Sequence, residues 1–357
     1  MNLASLAWRL APRLPGAVAR ALFALAADAA WFRRGKGVRQ LEANLRRVLP
    51  GASKAALRRV SRQGMRRYLR YYCEAFQLAG WSEAQVDAMV AFEVEVEVEA
   101  EVEVESAAAA GAGGGAGPEP KPGSAAWAGR GSVLAGVEGR EGLVLGQGRQ
   151  AVLALAHMGN WDLAGAWATR HLAPVVSVAE RLKPEAAFQD FLRLRQAIGL
   201  EIIPLEAGKP AFPQLLQALA GREAWLAPLL AERDLGRGGV EVDFFGEKAL
   251  VAAGPAALAL ATGRPLAPVA MWLSQGGRKR PAYTLRFGRP VPAPGGVTRA
   301  EQIQTMTQAW VGWLEEQIRR HPADWHMLQK VFLRDLDPGR LERARGRAGQ
   351  ADGGGGG

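Results

Sequence analysis

Short apolar runs alternate with helical patterns from Gly142 to about residue 320, and this alternation most constrains the fold. The predicted strands are 151–156, 174–178, 201–204, 224–230, 240–244, 266–272 and 282–287, and the predicted helices are 161–171, 184–198, 210–220, 252–262 and 299–320. Strands that alternate with helices favour parallel pairing, with the helices packed on both faces of the sheet. The sequence therefore predicts an α/β fold with a mainly parallel central sheet flanked by helices.

A basic, helical region precedes this pattern. Helical spacing is found over residues 2–31, divided at Pro15, and over 41–49 and 53–79. Residues 1–75 contain sixteen Arg or Lys and three acidic residues, a net charge of +13, whereas the whole chain has +10. Such an excess predicts an anionic partner, either nucleic acid or an anionic membrane surface.

The N-terminal apolar stretch does not predict a membrane span. Residues 15–32 are interrupted by Arg20 and Asp28 and fall short of the ~20 uninterrupted apolar residues that a spanning helix needs. The expected structure is a helical layer over the core or an amphipathic surface that enters the lipid interface, with arginines near lipid phosphates. We therefore expect residues 1–92 to be a membrane-facing helical part of the catalytic domain.

Two segments are expected to contribute little to chemistry. Residues 93–105 alternate Glu with Val, which fits a strand or an extended arm, and 106–123 are rich in Ala, Gly and Pro. We expect 93–132 to be a low-complexity insertion, 133–337 to be the α/β core, and 338–357 to be a disordered tail.

One predicted strand, 151–156, ends at a histidine. The segment that follows is His157-Met-Gly-Asn-Trp-Asp162, and the carboxyl end of a strand is where open α/β sheets place their chemistry. Asn160 is suited to cap the next helix, and imidazole is suited to accept a proton near neutral pH. Asp162 could orient His157 by a hydrogen bond to one ring nitrogen, or could simply stabilise the helix N-terminus.

A second charged block, Glu232-Arg233-Asp234, follows the predicted strand 224–230 and should lie at the same edge of the sheet. Alone it is either a surface loop or part of a site. The chain lacks a Gly-x-Ser-x-Gly elbow, and its only cysteine, Cys73, is far in sequence from these motifs. His and Cys spacing also gives no structural zinc motif. The sequence thus predicts neither an enzyme nucleophile nor a metal.

Taken together, the motifs resemble those of a known enzyme superfamily. They are His157-x4-Asp162, Glu232-Arg233-Asp234, Phe244-Phe245-Gly246 and Gly254-Pro255 before an apolar helix. This set is similar to the lysophospholipid and glycerol-phosphate acyltransferases, and within them to the lipid A lauroyl/myristoyl acyltransferase branch. Asn44-Leu45 before Pro50, the run 178–184 and the run 321–329 further resemble actinobacterial phosphatidylinositol mannoside acyltransferases. The resemblance covers about residues 1–92 and 142–336, and the Glu-Val and glycine-rich stretch departs from it.

The resemblance implies an O-acyltransferase of the EC 2.3.1 class. It implies transfer of a fatty acyl chain, expected to be palmitoyl, from acyl-CoA to a mannose hydroxyl of phosphatidylinositol mannoside. The enzyme would be peripheral, at the cytoplasmic face of the plasma membrane. Acyl-CoA would be a co-substrate, with no cofactor and no nucleic-acid partner.

The resemblance also implies roles for particular residues. His157 would be the catalytic base, and Glu232 matches the acidic residue that pairs with it in the family. Asp162 would then brace the loop, and both alternatives for the acidic partner stay open. The candidate substrate-binding residues are Asn160, Glu180, Arg181, Arg195 and Arg233. Guanidinium groups suit donor or acceptor phosphates, although Arg195 could equally be a solvent-facing helix residue.

Two other functions remain open at this point. The acceptor could be a lipid A precursor, because the basic N-terminus suits either glycolipid. The chain could also be a non-enzymatic basic protein that binds membranes or nucleic acid, although the strand-end His, Asp and Glu would then have no explanation.

Overall fold

A central sheet lies between layers of helices in the computed structural model, which describes residues 11–95, 149–179, 185–204, 211–234, 238–274 and 281–336. The strands are β1 (Val90–Val94), β2 (Gln150–Leu155), β3 (Val176–Ala179), β4 (Glu201–Pro204), β5 (Trp225–Leu230), β6 (Gly239–Phe244), β7 (Glu247–Ala252), β8 (Leu266–Leu273) and β9 (Tyr283–Phe287). The helices are α1 (Gly16–Arg33), α2 (Lys36–Val48), α3 (Lys54–Leu78), α4 (Glu83–Met89), α5 (Trp161–His171), α6 (Glu185–Ala197), α7 (Ala211–Leu219), α8 (Gly254–Thr262) and α9 (Arg299–Arg320). Short 3₁₀ turns lie at Ala11–Arg13, Pro322–Asp324 and Leu333–Asp335.

The main sheet has five strands in the order β1-β9-β8-β2-β5. β2 is parallel to both β5 and β8, β1 is parallel to β9, and the β8–β9 pair is antiparallel. The parallel pair β3–β4 continues the arrangement beside β5 through a bridge between Val175 and Leu226. This topology confirms the predicted α/β class, and it brings the carboxyl ends of β2, β5 and β8 to one edge.

Strand β2 lies at the centre of the core, and all six of its residues are buried. Val152 and Ala154 pack into the hydrophobic cluster that includes α8 and α9, whereas Leu153 and Leu155 pack into the cluster that includes α5. Because both faces of the strand are covered, its sequence is a continuous apolar run without polar alternation. This is why the strand could be predicted from its run of apolar residues alone.

The N-terminal helices form a basic layer whose charge is partly neutralised. Helix α1 begins directly after Pro15, as predicted. Asp28 on α1 accepts paired hydrogen bonds from Arg62 and Arg66 of α3. Glu42 on α2 likewise forms ion pairs with two arginines, Arg34 and Arg58. The arginines on successive turns of α3 therefore bind carboxylates of neighbouring helices, which offsets their mutual repulsion.

Two strands differ from the sequence-based expectation. Strand β7 was not predicted; it pairs with β6 through a tight turn in which Phe245 and Gly246 both have positive φ (50° and 76°). Helix α8 accordingly begins at Gly254, after β7, and not at residue 252. Strand β1 includes Glu93 and Val94, the start of the Glu-Val alternation. The remainder of the predicted insertion, 96–132, and the tail from 338 lie outside the described residues.

Candidate active site

A histidine–glutamate pair lies where two parallel strands end. His157 follows β2, and Glu232 follows the neighbouring β5. Glu232 Oε1 lies 2.9 Å from His157 Nδ1 and also accepts a 2.7 Å hydrogen bond from the backbone N–H of His157. The Glu232 side chain is 1% exposed, whereas the His157 side chain is 36% exposed. The carboxylate is thus fixed inside the protein, and the imidazole reaches the surface of a cleft.

His157 and Glu232 shift each other's pKa. Burial alone would lower the pKa of His157, but the charge and hydrogen bond of Glu232 outweigh it and raise that pKa above its usual value of 6.5. Burial would likewise raise the pKa of Glu232, and the contacts with His157 lower it below its usual value. Glu232 is therefore a carboxylate that accepts the Nδ1 proton. That tautomer leaves the His157 Nε2 lone pair available as a base.

The loop after His157 requires glycine. Gly159 has φ +67°, in the left-handed region that favours glycine. A Cβ at this position would also lie 2.3 Å from the carbonyl oxygen of Met271 on β8. The backbone of Gly159 therefore lies so close to β8 that no side chain fits at position 159. This close contact sets the distance of the His157 imidazole from the sheet.

The same loop is held by a distant segment near the C-terminus. The N–H of Gly159 donates to the carbonyl of Asp324, and the N–H of His326 donates to the carbonyl of His157. His326 Nε2 lies 3.1 Å from the carbonyl oxygen of Gly159, so this nitrogen carries the proton. Burial lowers the pKa of His326 to about 3, which keeps its ring neutral. The buried Nδ1 of His326 is then an acceptor, and it has no hydrogen-bond partner within the described residues.

Asp162 binds other groups than His157. Its carboxylate is 1% exposed and accepts hydrogen bonds from the Tyr71 hydroxyl at 2.7 Å and from Arg195 Nε at 2.9 Å. The sequence left Glu232 and Asp162 open as partners of the imidazole. In the structure Glu232 contacts the imidazole, whereas Asp162 binds one side chain from α3 and one from α6. Arg195 is accordingly not a solvent-facing residue: its side chain is 22% exposed and it lies between Asp162 and the cleft.

Asn160 links the loop to α3. Its side chain accepts from the N–H of Leu163, which caps α5 as predicted, and donates to Glu74 Oε2 at 3.1 Å. Glu74 also accepts from the Tyr283 hydroxyl at 2.6 Å and from Arg70 Nε at 2.6 Å. Asn160 is fully buried, so its side chain positions the loop and does not face the cleft.

A larger cleft that contains His157 adjoins a smaller apolar cavity. The cleft has a volume of about 530 Å³ and includes His157, Arg195, Arg233 and His326 in its walls. The cavity, of about 220 Å³, is lined mostly by aliphatic side chains of β2, α5 and β3–β5. Trp161 and Arg195 line both, so the two spaces adjoin. This arrangement can hold a polar group and a hydrocarbon chain next to the same imidazole, that of His157.

Sequence reasoning found part of this site. Of the candidate substrate-binding residues, Arg195 and Arg233 line the cleft, whereas Glu180 and Arg181 lie outside the described residues. Tyr71, Glu74 and His326 were not predicted. The aromatic set on α3 was the one signal for Tyr71, the run 321–329 contained His326 without indicating its contact with the loop, and nothing local marks Glu74. In the described parts of the chain, no group of three His, Cys, Asp or Glu side chains could hold a metal ion.

The model of the family described as bacterial lipid A biosynthesis acyltransferase matches residues 2–334. The chain belongs to this family. The acyltransferase is 33% identical over 338 residues to the phosphatidylinositol mannoside acyltransferase of Mycolicibacterium smegmatis, covering 94% of this chain and 92% of that protein. It is also 41% identical over 204 residues to the Mycobacterium tuberculosis protein of the same name, covering 57% of this chain and 61% of that protein. Family membership confirms the resemblance and contradicts the non-enzymatic alternative. None of the described helices of the acyltransferase is long and apolar enough to cross a bilayer.

Proposed function

We propose that the enzyme transfers a fatty acyl chain, with palmitoyl expected, from acyl-CoA to a mannose hydroxyl of phosphatidylinositol mannoside. The observation that carries the proposal is the partly exposed imidazole of His157, held by buried Glu232 in a cleft that also contains Arg195 and Arg233 and adjoins an apolar cavity. The names of the mycobacterial relatives favour this acceptor. The polar side chains of the cleft would bind the sugar, and the apolar cavity would take part of the acyl chain.

In the proposed reaction His157 acts as general base. Its Nε2 takes the proton of the sugar hydroxyl as the oxygen attacks the thioester carbonyl, and Glu232 stabilises the imidazolium that forms. The tetrahedral intermediate then collapses with cleavage of the carbon–sulfur bond. The proton on His157 passes to the departing CoA sulfur, which leaves the ester, free CoA and a neutral base.

Other cleft residues have positioning roles in this proposal. Arg195 and Arg233 would bind phosphate groups of the donor or acceptor. Asp162 would hold Arg195 in place for that contact.

We further propose that the enzyme works as a peripheral protein on the cytoplasmic face of the plasma membrane. Helix α1 exposes Val18, Leu22, Leu25 and Phe32, and these apolar side chains lie in a region with a large excess of basic residues. An apolar stripe flanked by arginines is typical of helices that lie in a lipid interface.

The direct test is mass spectrometry of the product after incubation with palmitoyl-CoA and a mannosylated phosphoinositide. The wild type should give a product heavier by one palmitoyl group, and His157→Ala should give none above background. His171→Ala is the matched control, since His171 forms a similar pair with Asp87 at the opposite end of α5 from the loop and should keep activity. A lipid A precursor belongs in the same experiment, because the family description names lipid A. Acylation of that precursor alone would contradict the proposed acceptor.

A further inference from the structure

A second cavity, of about 290 Å³, lies between α1 and a face of α3 that does not border the cleft. Its walls are Arg20, Ala24, Gln63, Arg66, Arg67, Arg70 and Leu273. Four of these seven side chains are guanidinium groups, and no acidic side chain is among them. A concave surface lined by arginines has the chemistry of a phosphate site.

The four arginines keep hydrogen-bond donors for a ligand. Arg66 uses Nε and Nη2 on Asp28, Arg67 uses Nη1 on Asp324, and Arg70 uses Nε on Glu74. A guanidinium has five N–H groups, so each of the three retains donors. The carboxylates also fix the three side chains, which reduces the conformational entropy that binding an anion would remove.

Arg20 differs from the other three. It is exposed, and within the described residues it has no carboxylate within ion-pair distance. Arg62, one turn before Arg66 on α3, also binds Asp28, so the surroundings of the cavity are rich in positive charge. The three carboxylates around the cavity are already bound, which leaves the charge of Arg20 for a ligand.

The position of Arg20 on α1 indicates the source of the anion. With 3.6 residues per turn, Arg20 and Ala24 lie between the buried face of α1, at Ala19 and Ala27, and the exposed stripe of Val18, Leu22 and Leu25. A lipid interface that covers the stripe would bring phosphate groups to the depth of the cavity mouth. A free phosphate has no such reason to bind beside an apolar stripe.

We propose that this cavity binds the phosphate group of an anionic membrane lipid, with Arg20 as its entrance residue and Arg66, Arg67 and Arg70 as its walls. The inference goes beyond the proposed acyl transfer, because it concerns a face of α3 that holds no reacting group. The partners of Arg67 and Arg70 are Asp324 and Glu74, which hold Gly159 and Asn160 of the catalytic loop. The bound headgroup would therefore lie directly behind that loop.

Co-sedimentation of the full chain with vesicles tests the proposal without any turnover. Equimolar phosphatidylcholine and phosphatidylglycerol is the anionic composition, and phosphatidylcholine alone is the neutral one. Arg20→Ala should weaken binding to the anionic vesicles about tenfold or more, because it removes charge-assisted hydrogen bonds. Arg33→Ala is the matched control: it removes an exposed arginine of the same helix that does not line the cavity, and should cost about fivefold or less. Arg20→Lys, which keeps the charge and loses the planar fork, should fall between wild type and Arg20→Ala.

Equal losses for Arg20→Ala and Arg33→Ala would overturn the proposal, since the effect would then be general charge attraction. Inorganic phosphate provides the second arm, measured by its effect on the melting temperature. If phosphate stabilises the wild type but not Arg20→Ala, while the two bind anionic vesicles equally, the cavity takes free phosphate and the lipid assignment is wrong. Circular dichroism of each variant confirms folding, and the product assay with palmitoyl-CoA separately tests the acyltransferase proposal.

Discussion

At the scale of single residues, the position of the His157 imidazole is fixed by one buried carboxylate. Glu232 contacts both the ring and the backbone N–H of His157, so one buried carboxylate sets both the tautomer and the position of the imidazole. The two residues could be placed at one sheet edge from the sequence alone, because each follows an apolar strand. The family resemblance implied that Glu232 pairs with His157, but the residues alone did not decide it, since Asp162 lay nearer in sequence and had an equally plausible role.

Gly159 provides a stability prediction at this scale. Gly159→Ala should lower the free energy of unfolding by more than Gly263→Ala, which is the matched control. Both glycines have nearly the same φ, +67° and +64°, so both variants incur the left-handed strain of roughly 1–2 kcal/mol. Only at position 159 would the new Cβ overlap the Met271 carbonyl, whereas nothing lies within 4 Å at 263. Urea unfolding measures the free energy of unfolding of both variants. Equal losses would show that the space between residue 159 and β8 can accommodate a Cβ.

At the scale of elements, helix α3 supports the loop that follows His157. Tyr71 binds Asp162, Glu74 binds Asn160, and Arg67 binds Asp324. These contacts join residues that are more than 80 positions apart, and this separation is why no local pattern revealed them. The helix itself was predicted correctly from its periodicity, but which face meets the loop depends on tertiary packing.

A pair of tyrosines on α3 tests this support. Tyr71→Phe should cost about 1.5–3 kcal/mol of unfolding free energy, because it removes a hydrogen bond to a buried carboxylate. Tyr72→Phe, the same change on the next residue, removes only a neutral contact with the Tyr68 hydroxyl and should cost about 0.5–1.5 kcal/mol. Chemical denaturation distinguishes them. A larger loss for Tyr72→Phe would contradict the assigned role of Tyr71.

The sheet shows where sequence patterns succeed and fail. Strands such as β2 and β8 were predicted because both of their faces are buried, which leaves long apolar runs. Strand β7 was missed because it belongs to a hairpin with partly exposed residues and begins with Glu247 and Lys248. Such a strand is stabilised by pairing with β6, and a search for apolar runs does not detect this dependence on a partner strand.

At the scale of the whole molecule, the buried ring of His326 should lower the free energy of unfolding in mild acid. Burial lowers the folded-state pKa of His326 to about 3, so as the pH falls below 6.5 the unfolded state binds this proton first. Each pH unit below 6.5 then favours unfolding by about 1.4 kcal/mol, or roughly 2 kcal/mol at pH 5. His326→Gln keeps a donor for the Gly159 carbonyl and does not titrate. Urea unfolding at pH 7 and pH 5 should therefore show a smaller acid loss in the variant, and identical losses would contradict a buried neutral ring.

The proposed membrane association is also a property of the molecule as a whole. Leu25→Ser, in the exposed stripe of α1, should weaken binding to phosphatidylcholine vesicles by about tenfold, since a buried leucine contributes roughly 1.5–3 kcal/mol. Val297→Ser changes an exposed apolar side chain in the loop before α9 and should leave binding unchanged. Equal effects of the two substitutions would show that α1 is not the membrane face.

The pH dependence of kcat/KM in Glu232→Gln tests the central claim most directly. In the proposed mechanism activity requires neutral His157, and the Glu232 carboxylate raises the pKa of that ring. Replacing the carboxylate should lower kcat/KM by about 10²–10⁴ and move the acidic limb of the profile to lower pH. Asp162→Asn should leave the position of that limb unchanged, because Asp162 binds Tyr71 and Arg195. A limb that moves in Asp162→Asn and stays fixed in Glu232→Gln would contradict the account.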